Sequence, residues 1–231
     1  MKAVEIKNLN KSFGSRKILK DIDLTVESGR IVGLLGKNGM GKSTLIKLIC
    51  DLLTVDSGEI LIYGNPVGVE SKKVISYLPE RCALDKTMSV KKVIRFYADF
   101  YDNFDIDKAM KLISDLDLDA DQRISKMSKG MQEKLQLALV LSRNAELYIL
   151  DEPLGGVDPA TRDYILDTIL SNFKEGASVI ISTHIISDIE RILDDVIFID
   201  KGEIILSSDA DELRQSENAS IDEIFRRTFR C

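Results

Sequence analysis

The chain has 231 residues, of which 44% are hydrophobic and 30% charged, and its formal net charge is −6 at pH 7. This balance is typical of one globular domain and excludes a disordered chain, and the longest apolar runs, such as residues 31–35, are far too short to cross a bilayer. Three widely spaced cysteines, Cys50, Cys82 and Cys231, predict neither a disulfide framework nor a zinc site and indicate the reducing cytosol. Glu5 stands where a signal peptide would be apolar, so we expect a soluble protein that is not exported.

The excess of negative charge comes from one segment of the chain. Residues 99–121 contain eight aspartates against Lys108 and Lys111, and the rest of the chain is balanced. Apart from Arg226 and Arg227 there is no basic run, so we expect no nucleic-acid partner. The acidic segment is interpreted as a solvated helix face and a polar loop.

The first part of the chain contains both strand and helix patterns. Polar and apolar residues alternate over residues 3–6 and 22–26, as they do in half-buried antiparallel strands. Residues 30–35 are almost continuously apolar, which is typical of a strand covered on both faces. A glycine-rich loop follows, then a predicted helix over residues 43–53 and another predicted strand over residues 59–63.

The middle of the chain is predicted to be helical. Phe96, Phe100 and Phe104 recur at intervals of four, which places them on one face of a helix. The pattern predicts a helical subdomain over residues 79–143, and most of these aromatic residues are expected to pack inside it.

Strand patterns return after this helical part, and the chain ends in another helix pattern. Ser220 and Glu223 have the spacing of a capping box, which predicts the start of a C-terminal helix. Predicted strands cover residues 147–150, 178–182 and 196–199. We predict one α/β domain over residues 1–231, with its core in residues 1–78 and 144–210, the helical insertion in residues 79–143 and a C-terminal helix in residues 211–231.

A complete phosphate-binding loop lies between the apolar run and the first helix. Its sequence, Gly-Lys-Asn-Gly-Met-Gly-Lys-Ser-Thr, matches the P-loop pattern in full. Glycines let backbone N–H groups approach a triphosphate closely, and the following helix adds the positive end of its dipole. We expect Lys42 to reach the β- and γ-phosphates and the Ser43 hydroxyl to hold Mg²⁺. The predicted ATP-binding loop comprises Gly36, Lys37, Asn38, Gly39, Met40, Gly41, Lys42, Ser43 and Thr44.

Two acidic residues follow the apolar residues 147–150. Asp151 is predicted to support Mg²⁺, and Glu152 is predicted to orient and polarise the attacking water; Lys42 is also predicted to be catalytic. Small-molecule kinases, GTPases and motor ATPases also combine a P-loop with such acids. These elements therefore predict a P-loop NTPase without distinguishing its kind.

The hexapeptide Met-Ser-Lys-Gly-Met-Gln at residues 127–132 resembles the signature of one family, the nucleotide-binding domains of ABC transporters. That signature is usually Leu-Ser-Gly-Gly-Gln, and here lysine and methionine replace the first glycine and the glutamine. Nearly the whole chain follows the family's order of motifs. The resemblance implies that Ser128 and Gly130 bind the γ-phosphate of an ATP held by another subunit. The implied trans-acting segment is Ser128, Lys129, Gly130, Met131 and Gln132.

Further residues agree with this resemblance. Phe13 is similar to the aromatic residue that stacks on adenine, and residues 155–158 resemble the D-loop, with Asp158 as its acid and a glycine in place of the usual serine. His184, the only histidine, follows a predicted strand and resembles the switch histidine that contacts the γ-phosphate. The resemblance implies a fold with a P-loop NTPase (RecA-like) α/β core, an N-terminal antiparallel β subdomain and an inserted α-helical subdomain.

One position departs from the family's pattern. The family has glutamine after Leu-Pro, whereas this chain has Glu80. A carboxylate there can contact Mg²⁺ or the attacking water, but it adds negative charge beside the γ-phosphate. The predicted metal-binding residues are therefore Ser43, Asp151 and Glu80.

The resemblance implies an ATP-binding and ATP-hydrolysing subunit that uses ATP and Mg²⁺, dimerises with a second and identical subunit, and drives a membrane permease from the cytoplasmic face of the membrane. The signature and the aromatic residues 96–101 resemble ABC-2 type exporters of antibiotics and peptides. A P-loop kinase would not need this series of motifs. DNA-repair ATPases of the class would need coiled-coil insertions, and translation factors would carry two cassettes. A non-transport ABC subunit stays open as an alternative.

Overall fold

The computed structural model describes residues 1–155 and 157–229, without the side chains of Pro159 and Ala160. Gly156 of the predicted D-loop lies outside the described residues. So do Arg230 and Cys231, the last two residues of the predicted C-terminal helix.

The described residues form strands and helices that alternate along much of the chain. The strands are β1 (Lys2–Phe13), β2 (Arg16–Glu27), β3 (Ile31–Leu35), β4 (Ser57–Ile62), β5 (Asn65–Pro66), β6 (Ile75–Leu78), β7 (Leu147–Asp151), β8 (Ser178–Thr183), β9 (Asp195–Asp200) and β10 (Glu203–Asp209). The helices are α1 (Lys42–Ile49), α2 (Val69–Val74), α3 (Val90–Phe100), α4 (Ile106–Asp115), α5 (Lys129–Leu141), α6 (Pro159–Asn172), α7 (Ile186–Ile189), α8 (Ala210–Glu217) and α9 (Ile221–Phe229).

Two sheets confirm the predicted mixed α/β architecture. The smaller sheet is antiparallel and has the strand order β2-β1-β4-β5, whereas the larger sheet has the order β10-β9-β3-β8-β7-β6. In the larger sheet, β3 and β6 to β9 run parallel, and β10 adds an antiparallel edge. Each side of this sheet is covered, so the middle residues of its central strands are apolar, as expected for a parallel sheet.

The larger sheet separates two hydrophobic clusters. Leu147 and Ile149 of β7 pack toward α1 and the smaller sheet, whereas Tyr148 and Leu150 pack toward the helices on the other side. This alternation follows from the two-residue period of a strand. The carboxyl ends of β3, β7 and β8 consequently lie side by side, and the chain leaves each of them at the same edge of the sheet.

The acidic segment lies on the surface, as its sequence predicts. All of its aspartates are exposed except Asp105, which is half-buried. The Asp105 carboxylate caps α4 by accepting a hydrogen bond from the Lys108 backbone N–H at 2.9 Å. The charge of this segment therefore serves helix capping and solvation.

Buried Arg143 joins the helical part of the chain to the larger sheet. Its side chain is 4% exposed and donates to the backbone carbonyls of Ile75 and Lys73, and its Nε donates to Asn103 Oδ1 at 3.1 Å. The guanidinium lies 3.8 Å from the ring centroid of Tyr101. Burial lowers the pKa of Arg143. Several carbonyls and an aromatic face thus replace the water that this cation loses.

The predicted first helix is too long, and three strands, β5, β6 and β10, are not predicted. Helix α1 ends at Ile49 because Asp51 takes a left-handed conformation with φ +52°, and the N–H of Leu52 donates to the carbonyl of Lys47 at 2.8 Å. These bonds form a Schellman motif, which stops a helix. Strand β6 has only four residues and β10 is an exposed edge, so neither gives a strong apolar pattern.

None of the helices in the described part of the chain has the length and apolarity that a membrane span requires.

Candidate active site

The P-loop connects β3 to α1 at the carboxyl edge of the larger sheet. Gly41 precedes α1 with φ +113°, and no side chain caps this end of the helix, so its first N–H groups point toward the loop. A side chain at Gly36 would place Cβ 2.5 Å from the carbonyl oxygen of Ile199. The loop therefore needs glycine at Gly36 and Gly41 for close packing and a left-handed backbone. Such a loop is suited to wrapping a chain of phosphates.

Gly202, which was not among the predicted site residues, makes a backbone hydrogen bond to the P-loop. Its N–H donates to the carbonyl of Met40 at 3.1 Å, and its carbonyl accepts the N–H of Lys20 at 2.8 Å. Its φ is +82°, and a Cβ there would lie 2.0 Å from the carbonyl oxygen of Ile18. The turn between β9 and β10 thus ties the loop to β2. A glycine before a hairpin strand is the only signal in the sequence.

Three predicted catalytic side chains converge beside the P-loop. The Lys42 ammonium lies 3.4 Å from Glu152 Oε1, and His184 Nδ1 lies 2.9 Å from Glu152 Oε2. Lys42 and Glu152 are nearly buried, whereas the His184 side chain is 44% exposed. Lys42 is brought there by the first turn of α1, Glu152 by the end of β7 and His184 by the end of β8. The parallel order of these strands creates the group.

Asp151 lies deeper, between two hydroxyl groups. Its Oδ1 accepts a hydrogen bond from Ser182 Oγ at 2.5 Å and another from Ser43 Oγ at 3.3 Å. Burial raises the pKa of the Asp151 carboxyl, and the two hydroxyl bonds oppose that rise. Ser182 was missed as a site residue. It pairs with Asp151 in the register of β7 and β8, which no local pattern reveals.

A cavity of about 870 Å³ contains most of the predicted nucleotide-binding groups. The predicted residues that line it are Lys37, Asn38, Gly39, Gly41, Lys42, Ser43, Thr44, Glu80, Lys129, Glu152 and His184. An adjoining cavity of about 280 Å³ is lined by Gly130 and Asp158, together with Asp151 and Glu152. The P-loop, the two acids, Glu80 and the start of α5 thus surround one cleft.

Phe13 is outside the lining of the large cavity. It ends β1, is 49% exposed, and has the Lys11 ammonium 5.4 Å from its ring centroid. Its strand partner Arg16 does line the cavity, and so does Ile18 on the same face of β2. The adenine-stacking role of Phe13 stays a prediction, and Arg16 is a cavity residue that the sequence analysis missed.

The signature segment forms the start of α5. Ser128 is the N-cap, and its Oγ accepts the N–H of Met131 at 3.2 Å. The side chain of Gln132 turns inward and donates to the carbonyl of Met127 at 3.0 Å. Ser128 and Gly130 are exposed. The outer face of this helix end is therefore free to meet an anion, whereas Gln132 stabilises the turn before it.

Glu80 gives a first testable prediction. It is exposed, lines both cavities and forms no ion pair with any residue that the structure describes. We therefore expect Glu80→Gln to change ATP affinity by less than about twofold and turnover by less than about tenfold. Calorimetry and phosphate release measure the two quantities. Complete loss of nucleotide binding in this variant would contradict the prediction.

The parallel sheet, the P-loop and the acids at the end of β7 define a P-loop nucleotide hydrolase. A family model described as ABC transporter matches residues 19–155. The chain belongs to the ABC transporter family and is an ATP-binding, ATP-hydrolysing subunit of that family.

Individual relatives agree with this assignment. The chain is 32% identical to the lantibiotic transport ATP-binding protein SrtF of Streptococcus pyogenes, over 96% of this chain and 95% of the relative. It is 32% identical to the linearmycin resistance ATP-binding protein LnrL of Bacillus subtilis (strain 168), over 87% of this chain and 68% of the relative. A solved structure of an ATP binding subunit of an ABC transporter superposes with a TM-score of 0.88 at 28% identity, covering 97% of this chain and 98% of the other.

Proposed function

We propose that two copies of this chain bind two ATP molecules between them, and that hydrolysis reopens the dimer. The observation that supports this is the position of Ser128 and Gly130. Both are exposed at the N-terminal end of α5, and neither lines the large P-loop cavity, although Lys129 between them does and Gly130 lines the adjoining smaller cavity. A helix end of this kind favours a phosphate, and a second subunit would supply it.

In this scheme three side chains of the chain have different roles in ATP hydrolysis. Lys42 binds the β- and γ-phosphates, Glu152 orients and polarises water, and His184 fixes the Glu152 carboxylate and contacts the γ-phosphate. Hydrolysis removes the group that both subunits contact, so closure depends on ATP.

Mg²⁺ fits the oxygen atoms beside the P-loop. Asp151 offers a buried carboxylate whose hydrogen-bond donors among the described residues are hydroxyls, and Ser43 and Glu80 add oxygen atoms, which suit a hard cation. No group of three His, Cys, Asp or Glu side chains in residues 1–155 and 157–229 is arranged to hold a metal. This fits a cation bound mainly through phosphate and water. When bound, Mg²⁺ would neutralise charge on the β- and γ-phosphates.

We also propose a membrane permease as the partner, located at the cytoplasmic face of the membrane. Phe96 and Phe100 are 51% and 68% exposed and stack with centroids 6.2 Å apart, and Val69 nearby is 73% exposed. Exposed apolar groups of this size suit a short helix of a partner. Because LnrL and SrtF are named for linearmycin resistance and lantibiotic transport, we propose export of amphipathic antibiotics or peptides. Co-purification with a polytopic membrane protein separates this proposal from a non-transport role.

Mixing two inactive variants tests the dimer. Lys42→Ala damages the P-loop side of a site and Gly130→Asp damages the signature side, so each homodimer should be inactive. If the signature acts on the partner's ATP, a mixed dimer keeps one intact site. The mixture should then recover about a quarter of wild-type phosphate release, because half of the dimers are mixed and each has one good site of two.

The unmixed variants serve as controls for residual activity. If the signature acts within its own chain, neither variant holds a complete site, and mixing recovers nothing. That result, together with unaltered folding of both variants by circular dichroism, would refute the composite site.

A further inference from the structure

The Lys42 ammonium is surrounded by oxygen atoms of the protein itself. Its Nζ donates to the carbonyl of Gly36 at 2.6 Å and contacts the carbonyl of Lys37 at 3.5 Å, and it lies 3.4 Å from Glu152 Oε1. The carbonyls of Gly36 and Lys37 accept hydrogen bonds from the ammonium, whereas Glu152 Oε1 lies at ion-pair distance without a hydrogen bond. The Lys42 side chain is 5% exposed and the Glu152 side chain 10%. A phosphate oxygen that reaches this ammonium therefore competes with these oxygens.

The Glu152 carboxylate is aimed at Lys42 by its own backbone. Glu152 has φ +52°, and its N–H donates to the carbonyl and the Oγ of Ser182 at 3.0 Å and 3.1 Å. Its Oε2 contacts His184 Nδ1, whereas the buried Oε1 accepts no hydrogen bond from any residue in the described ranges. The ammonium at 3.4 Å is thus the charge that Oε1 faces. The Lys42–Glu152 contact is an ion pair, whereas the contacts of Lys42 with Gly36 and Lys37 involve neutral carbonyl groups.

We propose that Glu152 and the β-phosphate of the nucleotide compete for Lys42. This inference rests on the proposed function of the site. While Lys42 pairs with Glu152, the carboxylate that should polarise water is held by the P-loop. A phosphate that takes the ammonium releases Glu152 toward the water. The coupling is reciprocal: if the Glu152–Lys42 pair weakens nucleotide binding by some factor, nucleotide binding weakens the pair by the same factor. Removing the Glu152 carboxylate must therefore tighten nucleotide binding.

ADP binding in the presence of EDTA tests the competition between Glu152 and phosphate without any contribution from ATP hydrolysis. ADP lacks the phosphate that would join two subunits, and EDTA removes divalent cations, so neither dimer closure nor metal binding contributes. Calorimetry on the full chain should show Glu152→Gln binding ADP about three- to tenfold more tightly than wild type. Glu152→Ala is a second variant with the same expectation.

Glu133→Gln is the matched control, because it removes a carboxylate that lines the same cavity but pairs with Lys129 and not with Lys42. Its ADP affinity should stay within about twofold of wild type. An equal gain in the Glu133 and Glu152 variants would overturn the proposal, since it would show only general repulsion of the nucleotide. Unchanged affinity in both Glu152 variants would overturn it too. A wild-type chain that binds neither ADP nor ATP would instead refute the proposed function itself.

Thermal unfolding provides an independent readout. Without nucleotide, Glu152→Gln should unfold at a lower temperature than wild type, because buried Lys42 loses its charged partner. Saturating ADP should then raise the melting temperature of the variant more than that of wild type. An equal ADP-induced rise in both proteins would contradict the competition.

Discussion

Replacing Glu152 by glutamine is expected to lower steady-state ATP turnover by about 10²–10⁴-fold while nucleotide still binds. The amide keeps the size of the side chain but can no longer polarise water as a base. Lys42 stays available for phosphate, and His184 keeps a polar neighbour within reach. Phosphate release at saturating MgATP measures the loss. Glu80→Gln, from the same cavity, serves as the control with its much smaller expected effect.

The same Glu152 variant should also accumulate as an ATP-bound dimer. Because hydrolysis is the step that reopens the proposed dimer, blocking it should shift the chain to twice its mass in size-exclusion chromatography with MgATP. A variant that stays monomeric at saturating ATP, at protein concentrations well above micromolar, would contradict closure by the isolated chain. Retention of wild-type turnover would exclude Glu152 as the base.

Replacing Gly202 by alanine is expected to destabilise the fold by about 3 kcal/mol or more. Its φ of +82° disfavours any side chain, and the added Cβ would lie 2.0 Å from the carbonyl oxygen of Ile18 and 3.2 Å from Cα of Leu19. Both contacts are backbone atoms, so a rotamer change cannot relieve them. For a chain of this length we expect the melting temperature to fall by roughly 6–12 °C.

Gly64→Ala is the matched control for this loss. Gly64 has φ +80°, nearly the same as Gly202, but nothing lies within 4 Å of a Cβ placed there. It should therefore cost only the conformational penalty of about 1 kcal/mol. ADP affinity should fall in the Gly202 variant alone, because Gly202 binds the carbonyl of Met40 in the P-loop. Equal melting temperatures for the two variants would contradict the steric argument.

The sequence predicted the side chains that converge at the site better than it predicted the residues that support them. Lys42, Glu152 and His184 belong to patterns that each need a particular residue type, and the parallel strands bring them together. Ser182 and Gly202 escaped because their roles depend on contacts between distant segments. Ser182 meets Asp151 through strand register, and Gly202 meets β2 through a hairpin turn.

Strand and helix boundaries were predicted less accurately for a related reason. The strong patterns over residues 30–35 and 147–150 come from strands buried on both faces. Strand β6 is also mostly buried, but it has only four residues, which are too few to show a hydrophobic period. The end of α1 is set by the left-handed Asp51, a conformation that is uncommon outside glycine.

Arg143 connects the region of the exposed Phe96 and Phe100 to the strand that leads toward the nucleotide cavity. It grips Tyr101 on one side and the carbonyl of Ile75 on the other, and Ile75 begins the strand whose end leads through Pro79 to Glu80. We expect a movement of the exposed phenylalanines to reach β6 through these contacts and to shift Glu80 relative to Asp151. The distance between these two carboxylates would then respond to what binds at the phenylalanines.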